Sequence, residues 1–140
     1  MNTEDLNSLL DVALSLGCDA LEKEDFCYPF AITLQHDGSV QRSGELTEEE
    51  KSMDPEKLIE QISATLAAGA RQKLHKGTAL GMDVKVKRFE SEGFVKALEV
   101  VIEHEDGFGF DCFLPYKKEN GKYIYGTIFS NSIPAKSYLS

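Results

Sequence analysis

Apolar residues first recur at helical spacing. Leu6, Leu9, Leu10, Ala13 and either Leu14 or Leu16 fall on one stripe, which predicts an amphipathic helix near the N-terminus. Thr3 suits the N-cap, and Glu4 and Asp5 place negative charge in the first turn, where the helix dipole favours it. Gly17 reads as the residue that ends this helix, with the polar stretch Asp19 to Asp25 bridging to a strand. The period then changes to two. Tyr28, Phe30, Ile32 and Leu34 alternate with Ala31, Thr33 and Gln35, and Pro29, lacking an amide donor, marks a strand start or an edge. A short polar strand, Ser39 to Ser43, returns beside it.

Leu46 to Met53 is an acidic connector holding Glu48, Glu49 and Glu50; Thr47 and Glu50 have capping-box spacing, so it predicts one helical turn. Asp54, Pro55 and Glu56 then mark the clearest helix start in the chain. Leu58, Ile62, Leu66 and Ala70 continue that helix as an i, i+4 stripe, with Arg71, Lys73, His75 and Lys76 near its C-terminal end and Gly77 after it. Beyond it come alternating runs: Leu80, Met82, Val84 and Val86; after a Glu90 to Gly93 turn, Leu98, Val100 and Ile102; then Phe108, Phe110, Cys112 and Leu114; and last Tyr123 to Phe129. Residues 130–140 have a weak pattern and read as a flexible tail.

Three turns, His36-Asp37-Gly38, Glu105-Asp106-Gly107 and Glu119-Asn120-Gly121, fix strand register. A two-residue loop at Asp106-Gly107 sets Ile102 opposite Asp111 and mixes the faces. A three-residue loop sets Ile102 opposite Phe110 and Val100 opposite Cys112. The same reasoning pairs Leu34 with Val40 and Tyr116 with Ile124. The order α-β-β-α-β-β-β-β with short connections predicts one α+β domain over 1–140. It reads as a two-layer sandwich with both main helices on one face of a mainly antiparallel sheet.

Composition narrows the class. At 140 residues the chain has the length of one domain. A chain of this size buries roughly two thirds of its unfolded surface. No apolar run approaches the roughly 18 residues of a membrane span. A net charge of −9 opposes a nucleic-acid role, which wants a basic footprint. The N-terminus lacks the basic and apolar regions of a signal peptide. Cys18, Cys27 and Cys112, odd in number and widely spaced, read as reduced thiols, so a cytoplasmic location is expected. Cys112 alternates with core positions and reads as a small core hydrophobe.

Candidate chemistry is sparse. His36 and His104 each precede an acidic residue and a glycine, which invites a metal or acid/base reading. Register places His36 in an exposed turn and His104 at the core rim, with nothing in sequence to join them. His75 reads as a surface residue at a helix end. Glu99, Glu103 and Glu105 share the outer face of one strand and read as a solvated row, offset by Lys85 and Lys87 on the neighbouring strand. No nucleophile elbow, phosphate loop or zinc-binding helix motif is present. No catalytic residue, metal ligand or cofactor is assigned.

Two surfaces remain. Phe108, Phe110, Phe113, Tyr116, Tyr123, Tyr125 and Phe129 crowd the last strands. If Phe113 and Tyr125 lie away from the helices, they either form a patch for a homodimer or are covered by Ile133, Tyr138 and Leu139 of the tail. The second surface is electrostatic. Residues 1–62 hold 4 basic and 15 acidic side chains, whereas residues 63–140 hold 11 basic and 9 acidic. This concentration makes Glu48, Glu49, Glu50 and Asp54 the candidate contacts for a basic protein partner.

The segments Tyr28-Pro29-Phe30-Ala31, Glu103-His104-Glu105-Asp106-Gly107 and Leu114-Pro115-Tyr116 together resemble small acidic single-domain bacterial proteins of unassigned function. That resemblance implies a bacterial origin and a single domain, and carries over no catalytic residue. Size and acidity are similar in type to toxin-neutralising immunity proteins. The expectation is a non-enzymatic cytosolic binding protein with an acidic face. The alternatives are a small hydrolase or metal-dependent enzyme, and a homodimeric adaptor.

Overall fold

Helix α1, Thr3–Glu24, buries Asp5, Leu9, Ala13, Gly17 and Leu21, a single stripe at intervals of four. The computed structural model describes residues 3–89 and 93–138; of the expected Glu90 to Gly93 turn, only Gly93 lies among them, and Leu139 lies outside. Gly17 does not end α1. It sits inside the buried stripe, where a Cβ would come within 2.9 Å of Leu98 Cδ1. The glycine is therefore a close-approach position, and the stretch read as a polar bridge is helical through Glu24. The chain turns at Asp25, in the left-handed region at φ 60°. Its carboxylate there accepts hydrogen bonds from Lys118 Nζ at 2.7 Å and Tyr123 Oη at 2.6 Å.

Strands β1 (Phe30–Leu34) and β2 (Val40–Arg42) form the first hairpin. Helices α2 (Glu48–Lys51) and α3 (Pro55–Arg71) follow. The rest is β3 (Gly77–Phe89), β4 (Phe94–His104), β5 (Phe108–Glu119), β6 (Lys122–Tyr125) and β7 (Phe129–Pro134), then a 3-10 turn, Lys136–Tyr138. All described strand pairs are antiparallel, in the order β2-β1-β3-β4-β5-β6, with β7 also paired to β5. The α+β class and the antiparallel sheet are as the sequence predicts.

The position of α3 differs from expectation. Helix α1 packs with Phe30, Ile32, Leu34, Ala79, Leu98, Val100, Ile102, Cys112 and Tyr116. On the other face, Leu66, Ile59 and Ile62 of α3 pack with Ala31, Leu80, Met82, Val84 and Val101. The two main helices thus cover opposite faces, not one. The cause lies in β1 and β3, where consecutive residues are apolar (Ala31 and Ile32, Ala79 and Leu80), so both faces of the sheet require cover.

Two hairpins keep the predicted register: Leu34 opposite Val40, and Ile102 opposite Phe110, with Gly38 and Gly107 at positive φ. The third is one residue tighter. Glu119 pairs with Lys122 across Asn120 and Gly121, at φ 52° and 77°, so Tyr116 meets Tyr125 rather than Ile124. Asn-Gly tolerates two successive left-handed residues, which a two-residue loop demands. The shift turns Tyr123 and Tyr125 toward the α1 core. Residues 129–134, largely expected as tail, form β7, and Ala135 beyond them is fully buried.

The α1 face of β3 is built from small residues. A Cβ on Gly77 would meet Leu9 Cδ1 at 2.9 Å, and one on Gly81 would fall inside the Phe30 ring. Gly81→Ala should therefore lower stability by about 1–3 kcal/mol through overpacking. Gly44→Ala, into open space, should leave the unfolding free energy from urea titration within roughly 0.5 kcal/mol of wild type. Equal midpoints for the two variants would refute this account of β3.

Candidate functional site

His104 ends β4 on the α1 face and is 2% exposed. The Asp106 amide donates to its Nδ1 at 3.1 Å, which sets the ring proton on Nε2. Nε2–H then donates to Asp5 Oδ2 at 2.8 Å, and the ring stacks on Phe108 with centroids 4.7 Å apart. Lys76 Nζ approaches the same Asp5 oxygen at 3.3 Å. A general base needs one nitrogen facing substrate; both of these are engaged internally. The group acts as a staple joining the first turn of α1 to the β4–β5 turn and to the segment before β3.

Burial alone would raise the Asp5 pKa, but the bonds from His104 and Lys76 outweigh it and hold the carboxyl below its ordinary range. The contribution to stability is present above the unfolded-state pKa and is lost as pH falls through the lower folded value.

The other histidines are placed separately. His36 lies in the exposed β1–β2 turn, as expected, and its Nε2 donates to the Lys73 carbonyl at 2.9 Å. His75, expected at the surface, is buried. Its Nδ1 pairs with Tyr138 Oη at 2.7 Å, and a Cβ on Gly69 would come within 2.6 Å of its Nε2. Burial first, and His36 second, push its pKa down, favouring the neutral ring. The sequence carried one signal for this. A glycine inside a helix costs about 1 kcal/mol relative to alanine, so Gly69 marks a close approach. No hydrogen bond joins His36 to His104, and among the described residues no group of three or more His, Cys, Asp or Glu is placed to hold a metal ion.

The carboxylate row divides, correcting its reading as a solvated face. Glu105 is exposed, while Glu103 accepts from the Ser137 amide at 3.0 Å and from its hydroxyl at 2.9 Å. Glu99 lies against Asp111, and burial, followed by that neighbour, raises its pKa to about 8. Lys85 pairs across from Lys96, on the opposite face from Glu99, and does not offset the row. Phe113 lies on this outer face and stacks on Phe129 of β7, with centroids 4.9 Å apart.

A groove of about 430 Å³ runs between the C-terminal half of α1, the start of β1, the connector and α3. That volume is ordinary for a ligand-binding cleft, typically about 300–1,000 Å³. Leu16, Ala20, Phe30, Ile62 and Leu66 give it apolar walls; Asp19, Glu24, Glu45 and Glu50 line it together with Lys23, Arg42 and Lys51. The predicted turn is α2. The Thr47 amide donates to Glu50 Oε1 at 3.0 Å, and the Glu50 amide donates to Thr47 Oγ1 at 3.1 Å. Glu50 is thus committed to a cap while lining the groove. Glu48 and Glu49 project from the same short helix, exposed, with Lys51 Nζ 3.8 Å from Glu48. Asp54 precedes α3, exposed, without a side-chain cap bond.

Comparison with protein-family models, curated proteins and solved structures gives no match to this chain. Among the described residues, no helix is long and apolar enough to cross a membrane.

Asp5→Ala should cost about 3 kcal/mol at neutral pH, because it leaves His104 Nε2–H and the half-buried Lys76 without their carboxylate. As pH falls from the ordinary aspartate range toward the lowered Asp5 pKa, the gap between the two proteins should narrow. Urea unfolding at pH 7 and pH 3 tests both points, and a gap that is small at pH 7 or independent of pH contradicts the staple.

Proposed function

We propose that the protein is a non-enzymatic binding protein that engages a basic segment of a protein partner at the groove between α1, α2 and α3. The reading follows the type of a toxin-neutralising immunity protein and supposes a bacterial cytoplasm. The observation that carries it is the coincidence of charge and concavity. The groove's own lining holds four acidic and three basic side chains, and the wider segment around it, residues 19–62, holds 12 acidic and 4 basic. Opposite charge steers a partner to this end of the molecule, and the apolar walls accept a side chain once it arrives. The internal engagement of both His104 nitrogens supports a binding role over acid/base catalysis.

The test is affinity capture from the source cell in low salt, using wild type beside the double variant Glu48→Lys, Glu49→Lys. Both positions are exposed, so circular dichroism should show an unchanged fold. A basic protein should bind wild type and lose about tenfold in affinity, roughly 1.4 kcal/mol, with the variant. Its binding should also weaken as salt rises. Capture of no basic protein, or capture indifferent to both charge reversal and salt, overturns the reading.

A further inference from the structure

The β4–β5 register sets Glu99 opposite Phe113 and Val101 opposite Asp111. Glu99 and Asp111 are therefore diagonal neighbours on the face away from α1, and their carboxyls are within hydrogen-bond reach. Asp111 Oδ1 is buried and has no donor among the described residues. Two ionised carboxylates cannot satisfy one another, because each only accepts. A carboxyl that keeps its proton can donate to the other, and it removes the repulsion as well.

Strand β7 meets β5 at this point. Asp111 pairs with Asn131, and Phe113 with Phe129. Ser130, Asn131 and Ser132 are exposed, and beyond them the chain is held by buried Ala135, by Ser137 on Glu103 and by Tyr138 on His75. Strands β3 and β4 lie inside the sheet, whereas β7 has one partner strand. Of the elements touching the pair, β7 is the one that can leave at least cost.

We propose that Glu99 keeps a proton that it donates to Asp111, and that this proton latches β7 and the segment behind it onto β5, so that its loss opens the latch. The charged neighbours favour this arrangement. Along β4, Glu103 is acidic and tied to Ser137; along β5, Lys117 shares the face but is engaged by Glu119 at 3.3 Å and by the Phe94 ring. The same-face positions of β7 are Phe129, Asn131 and Ile133; β3 presents Leu80, Met82 and Val84, and α3 presents Ile59, Ile62 and Leu66. None of those side chains offers a cation to a doubly ionised pair. With a Glu99 pKa near 8 in the closed form, the latch weakens as pH rises from the ordinary carboxylate range and the weakening is complete near pH 8. The sign is fixed: a carboxyl whose pKa is higher in the closed form favours closure at low pH and opposes it as pH rises through that value.

Amide hydrogen exchange by NMR on the full chain, from pH 6 to pH 9.5, tests the latch. After correction for base-catalysed intrinsic exchange, protection of the β7 amides bonded to β5 should fall about tenfold per pH unit from pH 6 to about pH 8 and level off above it, as release of one proton requires. Protection in β3 and β4 should hold. Glu99→Gln, which keeps an amide donor for Asp111 but cannot ionise, should give a flat β7 profile. Should Glu99→Gln fail to fold, Asp111→Asn should give the same flat profile. Constant β7 protection in wild type, an equal fall in β3 and β4, or a variant that still follows the wild-type profile overturns the proposal.

Discussion

The structure depends on the seat that β3 offers to α1. A long helix can lie close to a sheet only where the sheet gives up side-chain volume, and β3 does so with Gly77, Ala79 and Gly81 on one face. Leu9 enters the space at Gly77, and the Phe30 ring lies over Gly81. The helix reciprocates at Gly17, which admits Leu98 from β4. Close packing of this kind forfeits energy for any gap or overlap of about an ångström. It therefore fixes the height and direction of α1, and with them the groove wall formed by its C-terminal half.

Polar anchors hold the same helix at both ends. At the first turn, Asp5 is bound by His104 and Lys76. Just past the last turn, Asp25 is bound by Lys118 and Tyr123. Between them Asp83, with its side chain 2% exposed, takes the Tyr116 hydroxyl at 2.6 Å and Lys96 at 3.3 Å. Each anchor satisfies buried or strained polar groups by joining segments far apart in the chain. A slipped register would leave them unpaired at a cost of about 1–3 kcal/mol each. These contacts select one register of helix on sheet where apolar packing alone would tolerate neighbours.

Periodicity made most of the elements legible, because alternation and helical stripes are local. The three-residue turns at Gly38 and Gly107 were also readable, since one slipped residue would have exchanged faces. What the sequence hid was which face a helix takes. The stripe of α3 announces a buried side but not the side of the sheet it meets. The consecutive apolar pairs in β1 and β3 were the available sign. Gly17 misled because a glycine that ends a helix and a glycine that admits a neighbour look identical in sequence. Of the candidate site, the acidic connector and its capping box were legible. The Glu99–Asp111 contact and the burial of His75 were not, since they join residues on different elements whose partners depend on register.

That distinction bears on what the charge means. In residues 63–140 the acids Asp83, Glu99, Glu103 and Asp111 are drawn into internal contacts, so the number of acids in that half overstates its exposed acidity. In residues 1–62 the reverse holds. Only Asp5 is buried and only Glu50 is partly covered, while the remaining acids stand exposed. Exposed charges contribute little to folding, so the fold has no structural need for so many on α1, α2 and the start of α3. Their field extends about one Debye length, roughly 8 Å at physiological salt, before it is screened. A field of that range acts on whatever approaches the groove they surround, and it leaves the core beneath almost untouched.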